Sequence, residues 1–345
     1  MQSQKGDKVL AEDSTKHTVV VTGGGGYVGS KLVPELLASG YRVRAVDLFI
    51  YGNDALRSVA GNPELELVTA DIRDANAMEK AMAGANTVIH LACISNDPSF
   101  ELNPDLGKSI NFDAFAPMVK IAEDAGVTRF INASSSSVYG VKPEGDVDED
   151  ASLEPLTDYS KFKAMCEEEL AKFQSDHFTT VTLRPATVCG YAPRQRLDVI
   201  VNILTNHAVV NRKIRVFGGT QLRPNIHIDD MVDAYLEMLR ADKELIAGKA
   251  FNVGANNFSV MELAERIRDA VGFSGVELQV EPTDDPRSYH VSSKRIAREL
   301  GFVPGRTIEQ AAVELRDAIG SGVLTNTMSN SRYFNVQRMK EIALV

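Results

Sequence analysis

Cysteine is scarce in this chain. Its 345 residues hold three, Cys93, Cys166 and Cys189. An odd number with no metal-like spacing supports neither a disulfide framework nor a thiolate metal centre. That usage fits a reducing compartment, and a cytoplasmic setting without metal is expected. Long apolar runs are missing too. None approaches the ~18 residues of a membrane span, and residues 1–17 lack the apolar core of a leader peptide. Positive charge is in deficit: 37 basic against 47 acidic residues leave −10. An acidic chain repels phosphate backbones, so no nucleic-acid partner is expected. Internal repeats and low-complexity tracts are absent. What is present, 44% hydrophobic and 24% charged residues, suits a globular protein large enough for two lobes.

The stretch Val19-Val20-Val21-Thr22-Gly23-Gly24-Gly25-Gly26-Tyr27-Val28-Gly29-Ser30 organises the reading. A β-branched run enters four glycines, and a helical pattern (Leu32, Val33, Leu36, Leu37) follows. Strand, glycine turn and helix in that order are the context of a dinucleotide fingerprint. Two registers fit, Gly24-x-Gly26-x-x-Gly29 and Gly23-x-x-Gly26-x-x-Gly29. The helix start offers unpaired N–H groups to a diphosphate. A second strand ends at Asp47, eighteen residues after Gly29. That is close to the ~20 expected of the acid on an adenosine ribose. No Arg immediately follows Asp47, so NAD is preferred over NADP.

Strands are expected near 18–22, 41–46, 65–69, 86–91, 128–133 and 178–183. Helices are expected at 28–38, 53–60, 75–82, 108–125 and 158–174. The alternation implies a doubly wound parallel sheet of Rossmann type. The organisation expected is a loose tail over 1–17, a dinucleotide domain over 18–184, and a smaller mixed substrate lobe over 185–320. Segments near 214–254 are expected to return to the main sheet, and 321–345 form an extension. Residues 184–196 and 218–224 read as loops. The substrate is expected between the carboxyl edge of the sheet and the second lobe.

Tyr159 and Lys163 stand four apart in YSKFK and share a helix face. A free phenol has a pKa of about 10, and lowering it by about three units takes roughly 4 kcal/mol. A neighbouring ammonium and a cationic nicotinamide ring are suitable sources. Upstream, a strand runs into Ser134-Ser135-Ser136-Ser137. A hydroxyl at that edge both donates to and accepts from a substrate oxygen.

These motifs together resemble the extended short-chain dehydrogenase/reductase family, in its nucleotide-sugar epimerase and dehydratase branch. The similarity covers roughly 18–320. It also rests on Asp71-Ile72-Arg73-Asp74, His90-Leu91-Ala92, Leu183-Arg184-Pro185, Arg223-Pro224-Asn225-Ile226-His227 and Phe251-Asn252-Val253-Gly254. The resemblance implies that Gly23, Gly26, Tyr27, Val28 and Gly29 cradle the diphosphate of NAD. Asp47 would hold the ribose, Asp71 and Ile72 the adenine, and Leu91 and Ala92 the nicotinamide half. Tyr159 would be the base, Lys163 its partner on the nicotinamide ribose, and Ser135 or Ser136 the catalytic hydroxyl. Thr187 and Arg223 would meet the substrate, and Arg287 and Tyr289 would close the nucleotide site. A homodimer through helices near 108–125 and 158–174 is also implied.

The resemblance further separates the reactions. Dehydratases of the branch carry an Asp-Glu pair just after the catalytic hydroxyl, and decarboxylases keep the Glu. Here those places hold Ser136 and Ser137. One Tyr and one Ser suffice for reversible oxidation at a single carbon, so a nucleotide-sugar epimerase acting at carbon 4 is expected. Arg184-Pro185-Ala186-Thr187 departs from the R-Y-F-N pattern frequent in such epimerases and lacks its amide. The alternatives are a 4-ketoreductase and a non-catalytic NAD-binding regulator. His90, His227, Asp229 and Asp230 read as structural, while Cys93 and Cys189 are expected to face the site as inert thiols.

Overall fold

Strand β1 (Thr18–Thr22) is buried along its whole length in the computed structural model, which describes residues 16–142, 147–283, 288 and 290–344. Val19 and Val21 join one hydrophobic cluster and Val20 the opposite one, as the two-residue period of a strand requires. A strand covered on both faces belongs to a parallel sheet between helices. The other strands are β2 (Arg42–Asp47), β3 (Leu65–Thr69), β4 (Thr87–His90), β5 (Arg129–Ala133) and β6 (Thr179–Pro185), then β7 (Thr187–Cys189), β8 (Lys213–Phe217), β9 (Leu222–His227), β10 (Lys249–Val253), β11 (Asn256–Ser259) and β12 (Glu277–Glu281).

Seven of these form one sheet in the order β10-β6-β5-β4-β1-β2-β3. Every pairing in it is parallel. Helices Gly29–Ala38 and Ile228–Arg240 pack on one face. Ala75–Met82, Phe115–Asp124 and Asp158–Ala171 pack on the other. This is the doubly wound α/β fold read from the sequence. β10 extends the sheet from well beyond residue 184, whereas β8 pairs with β12 outside it.

The smaller lobe holds the mixed sheet β11-β9-β7 and the pair β12-β8. Helices Ile200–Asn211, Val260–Val271 and Ile308–Gly320 share a separate core. Capping boxes Ser259/Glu262 and Thr307/Gln310 start the last two, satisfying N–H groups that a helix start leaves orphaned.

Two local expectations differ from the structure. The loops expected over 184–196 and 218–224 contain β7 and the start of β9, short strands whose pairing partners lie far along the chain. The helix expected over 108–125 is divided into Pro104–Lys108, a π turn at Ser109–Asp113, and Phe115–Asp124. In the turn, Asn111 accepts from the Ile94 N–H at 2.8 Å and donates to its carbonyl at 2.9 Å. The bulge thus braces the segment after β4. On the helix Asp158–Ala171, Phe162 and Leu170 pack into the main core and Met165 is exposed. No helix of the described residues is long and apolar enough to cross a membrane.

Candidate active site

The main sheet switches direction between β1 and β4, whose following loops diverge and open a crevice. A cleft of about 530 Å³ occupies it, and Gly23, Gly26, Tyr27, Val28 and Gly29 line one wall. Two glycines there are sterically required. Gly23 has φ +76°, and a Cβ on it would lie 2.7 Å from the Ala92 nitrogen. A Cβ on Gly29 would lie 2.4 Å from the Gly23 carbonyl oxygen. Asp47 seals the far side: its carboxylate accepts from the Gly25 N–H at 3.0 Å and the Phe49 N–H at 2.7 Å. Burial holds its carboxyl above the ordinary range, opposed by these two bonds and the nearby Arg194 charge. A backbone cradle at a helix start, with an acid fixed beside it, fits an adenine dinucleotide. Asp71 and Ile72 line the same end. Asp71 pairs with Arg73 at 2.6 Å, which pulls its carboxyl below the usual range. Asp74 caps the helix Ala75–Met82, accepting from the Ala77 N–H at 3.1 Å.

Leu91 and Ala92 continue the cleft toward Ser134, Ser135, Ser136, Ser137, Tyr159 and Lys163. The Ser135 and Ser137 hydroxyls lie 2.8 Å apart, and Ser160 donates to Ser137 at 2.9 Å. Lys163 is buried and donates to the Ala133 carbonyl at 2.7 Å. Burial drives the Tyr159 phenol above its ordinary value, reinforced by Cys93 and Asp97; Arg196 and a Ser135 hydrogen bond act in the opposite sense. The Lys163 charge adds to burial in lowering the His90 imidazole and opposes burial at the Cys166 thiol.

Thr187 on β7 and Arg223 on β9 reach the cleft from the second lobe. Arg287 and Tyr289 lie outside the described residues. Cys93 lines the cleft, but Cys189 does not: it is packed in the core of the smaller lobe. Arg184 is buried as well, in a fork with Glu167 at 2.6 Å.

Several lining residues carry no signal in the sequence. Arg194, Arg196 and Asp198 come from the Pro- and Arg-rich stretch after β7, and Asn335 and Leu344 from the C-terminal extension. The extension contains a helix, Asn335–Glu341, whose Met339 is buried in the main core. Arg332 and Arg338 tie it to the carbonyls of Tyr51 and Ile50, each at 2.6 Å.

The sequence pattern of the NAD dependent epimerase/dehydratase family matches residues 19–254. A dTDP-glucose 4,6-dehydratase of Streptomyces griseus is 31% identical, covering 88% of this chain and 92% of that protein. A UDP-glucose 4-epimerase of Mycolicibacterium smegmatis is also 31% identical, over 83% of this chain and 93% of that one. The fold is similar to that of DesIV, a dTDP-glucose 4,6-dehydratase from Streptomyces venezuelae crystallised with NAD. There the TM-score is 0.80 at 24% identity, with 89% of this chain and 99% of that one covered. The chain belongs to the NAD dependent epimerase/dehydratase family, and NAD is its cofactor.

Proposed function

We propose that this chain is a nucleotide-sugar epimerase acting at carbon 4. The observation that carries the reading is the loop beside Tyr159, which presents only hydroxyls. No carboxylate occurs between Ser134 and Gly140. Eliminating water from a hexose needs a second acid–base pair. Each acid lining the cleft already has a partner. Asp47 and Asp71 sit at the adenosine end, Asp198 pairs with Arg196 at 2.8 Å, and Asp97 accepts from Thr157 at 2.7 Å.

Bound NAD would supply the hydride acceptor and donor. Tyr159 takes the carbon 4 hydroxyl proton and gives it back to the keto oxygen. Ser135, held by Ser137, orients that oxygen throughout. Lys163 fixes the nicotinamide ribose, and the cationic cleft wall lowers the cost of a buried phenolate. Thr187 and Arg223, with Arg287 and Tyr289, hold the nucleotide and its phosphates. A cytoplasmic homodimer completes the reading.

The similarity to the S. griseus enzyme favours a 4,6-dehydratase as a second reading. Mass spectrometry after incubation with nucleotide hexoses decides between them. Epimerisation gives a product of unchanged mass that chromatography separates from the substrate, dehydration removes one water, and a ketoreductase adds two hydrogens only to a nucleotide keto sugar supplied with NAD(P)H. A lighter product from any nucleotide hexose would overturn the epimerase.

A further inference from the structure

Arg194 is only 5% exposed, yet its Nε and Nη1 have no hydrogen-bond partner in the protein. A guanidinium desolvated in this way is costly unless something completes it. Its surroundings say what that is. Its backbone N–H donates to Ser30 Oγ at 3.2 Å, in the first turn of the helix that begins at Gly29. Its guanidinium stacks on the Tyr51 ring at 3.6 Å. Its charge reaches Asp47. Its backbone is therefore anchored on the helix that follows the glycine cradle, and its guanidinium rests on Tyr51 with its charge felt at the ribose acid.

What aims it is the C-terminal extension. Asn335 Oδ1 accepts from Arg194 Nη2 at 2.6 Å and from the Tyr51 hydroxyl at 3.0 Å. Asn335 Nδ2 donates to Ser95 Oγ at 3.0 Å, and its backbone N–H donates to Asp198 at 2.9 Å. Ser95 and Asp198 are the partners of Arg196. One residue thus joins three other segments of chain around the cleft, those of Tyr51, Ser95 and Arg194–Asp198.

We propose that Arg194 is a second anchor for the cofactor's diphosphate, facing the glycine cradle, and that Asn335 is the positioning residue that aims it. A planar fork suits two phosphate oxygens better than a point charge does. The C-terminal extension then belongs to the dinucleotide site and keeps the cofactor from leaving between turnovers. The inference rests on NAD as cofactor, not on which reaction the enzyme catalyses.

The test uses the full chain stripped of nucleotide and titrated calorimetrically with NAD, ADP-ribose and adenosine. Asn335→Ala is expected to weaken NAD and ADP-ribose by about 10–50-fold, the worth of a charge-assisted hydrogen bond, and adenosine by less than about twofold. Arg194→Lys keeps the charge, loses the fork, and carries the same expectation. It is the second variant should the first fold poorly. Equal losses for all three ligands would mark a merely structural role and overturn the proposal, as would unchanged affinity for NAD.

Discussion

Lys163 Nζ donates to the Ala133 carbonyl at 2.7 Å, so the ammonium is pinned to the end of β5, where the serine loop starts. Tyr159 and Lys163 share a helix face, and the proposed mechanism gives them different duties. Tyr159→Phe removes only the proton carrier. Turnover should fall by about 10²–10⁴-fold, with NAD affinity unchanged in titration. Lys163→Met should weaken NAD binding as well. Identical NAD affinities for the two variants would sink this division of labour.

Gly29 has backbone on the side where a Cβ would point, with Gly24 oxygen at 2.6 Å in addition to Gly23 oxygen at 2.4 Å. Backbone cannot swing aside as a flexible side chain can. Gly29→Ala should therefore lose measurable NAD binding and lower the melting temperature, whereas Gly301→Ala, with nothing within 4 Å of its Cβ position, pays only for its φ of +69°. Calorimetric melting of both variants, with and without NAD, checks this.

The Arg184–Glu167 fork is almost fully buried, with side chains 7% and 9% exposed. Arg184 also donates to the Tyr139 hydroxyl at 2.7 Å, which in turn donates to Asn252 at 2.7 Å. Ser134 bonds to Glu167, so the network supports the serine loop. Glu167→Ala leaves a guanidinium buried without its partner and should cost about 3–5 kcal/mol in denaturant unfolding. A loss below about 1 kcal/mol, the range of an exposed pair, would contradict the burial.

His90 lies between Phe115 and Phe130, with the Thr22 hydroxyl 2.7 Å from its Nδ1. Burial, aided by the Lys163 charge, holds its pKa down to about 3, against 6.5 ordinarily. Between these values the unfolded chain binds the proton and the folded one does not. Stability should thus fall as the pH drops from 6.5 toward 3, by up to about 1.4 kcal/mol per unit from this residue. His90→Gln should flatten that part of the stability–pH curve. An unaltered slope would show that His90 is not held neutral.

Local order made half of this protein readable. Three β-branched residues followed by four glycines can hardly be anything but a strand entering a tight turn, because period and permitted φ are properties of a few neighbouring residues. The alternation of strand and helix, Asp47, the serine loop and the Tyr159–Lys163 spacing were legible for the same reason. Tertiary structure alone decided the rest. An arginine looks the same on paper whether it meets water or, like Arg184, is sealed in a fork with Glu167. Nothing near Arg194 announces that Asn335, 141 residues away, will fasten it over the cofactor cleft. Nor does the tail reveal its duty by composition. Contacts of that range depend on how the lobes and the extension pack, and burial, which sets the strength of every charge in the site, exists only once they have done so.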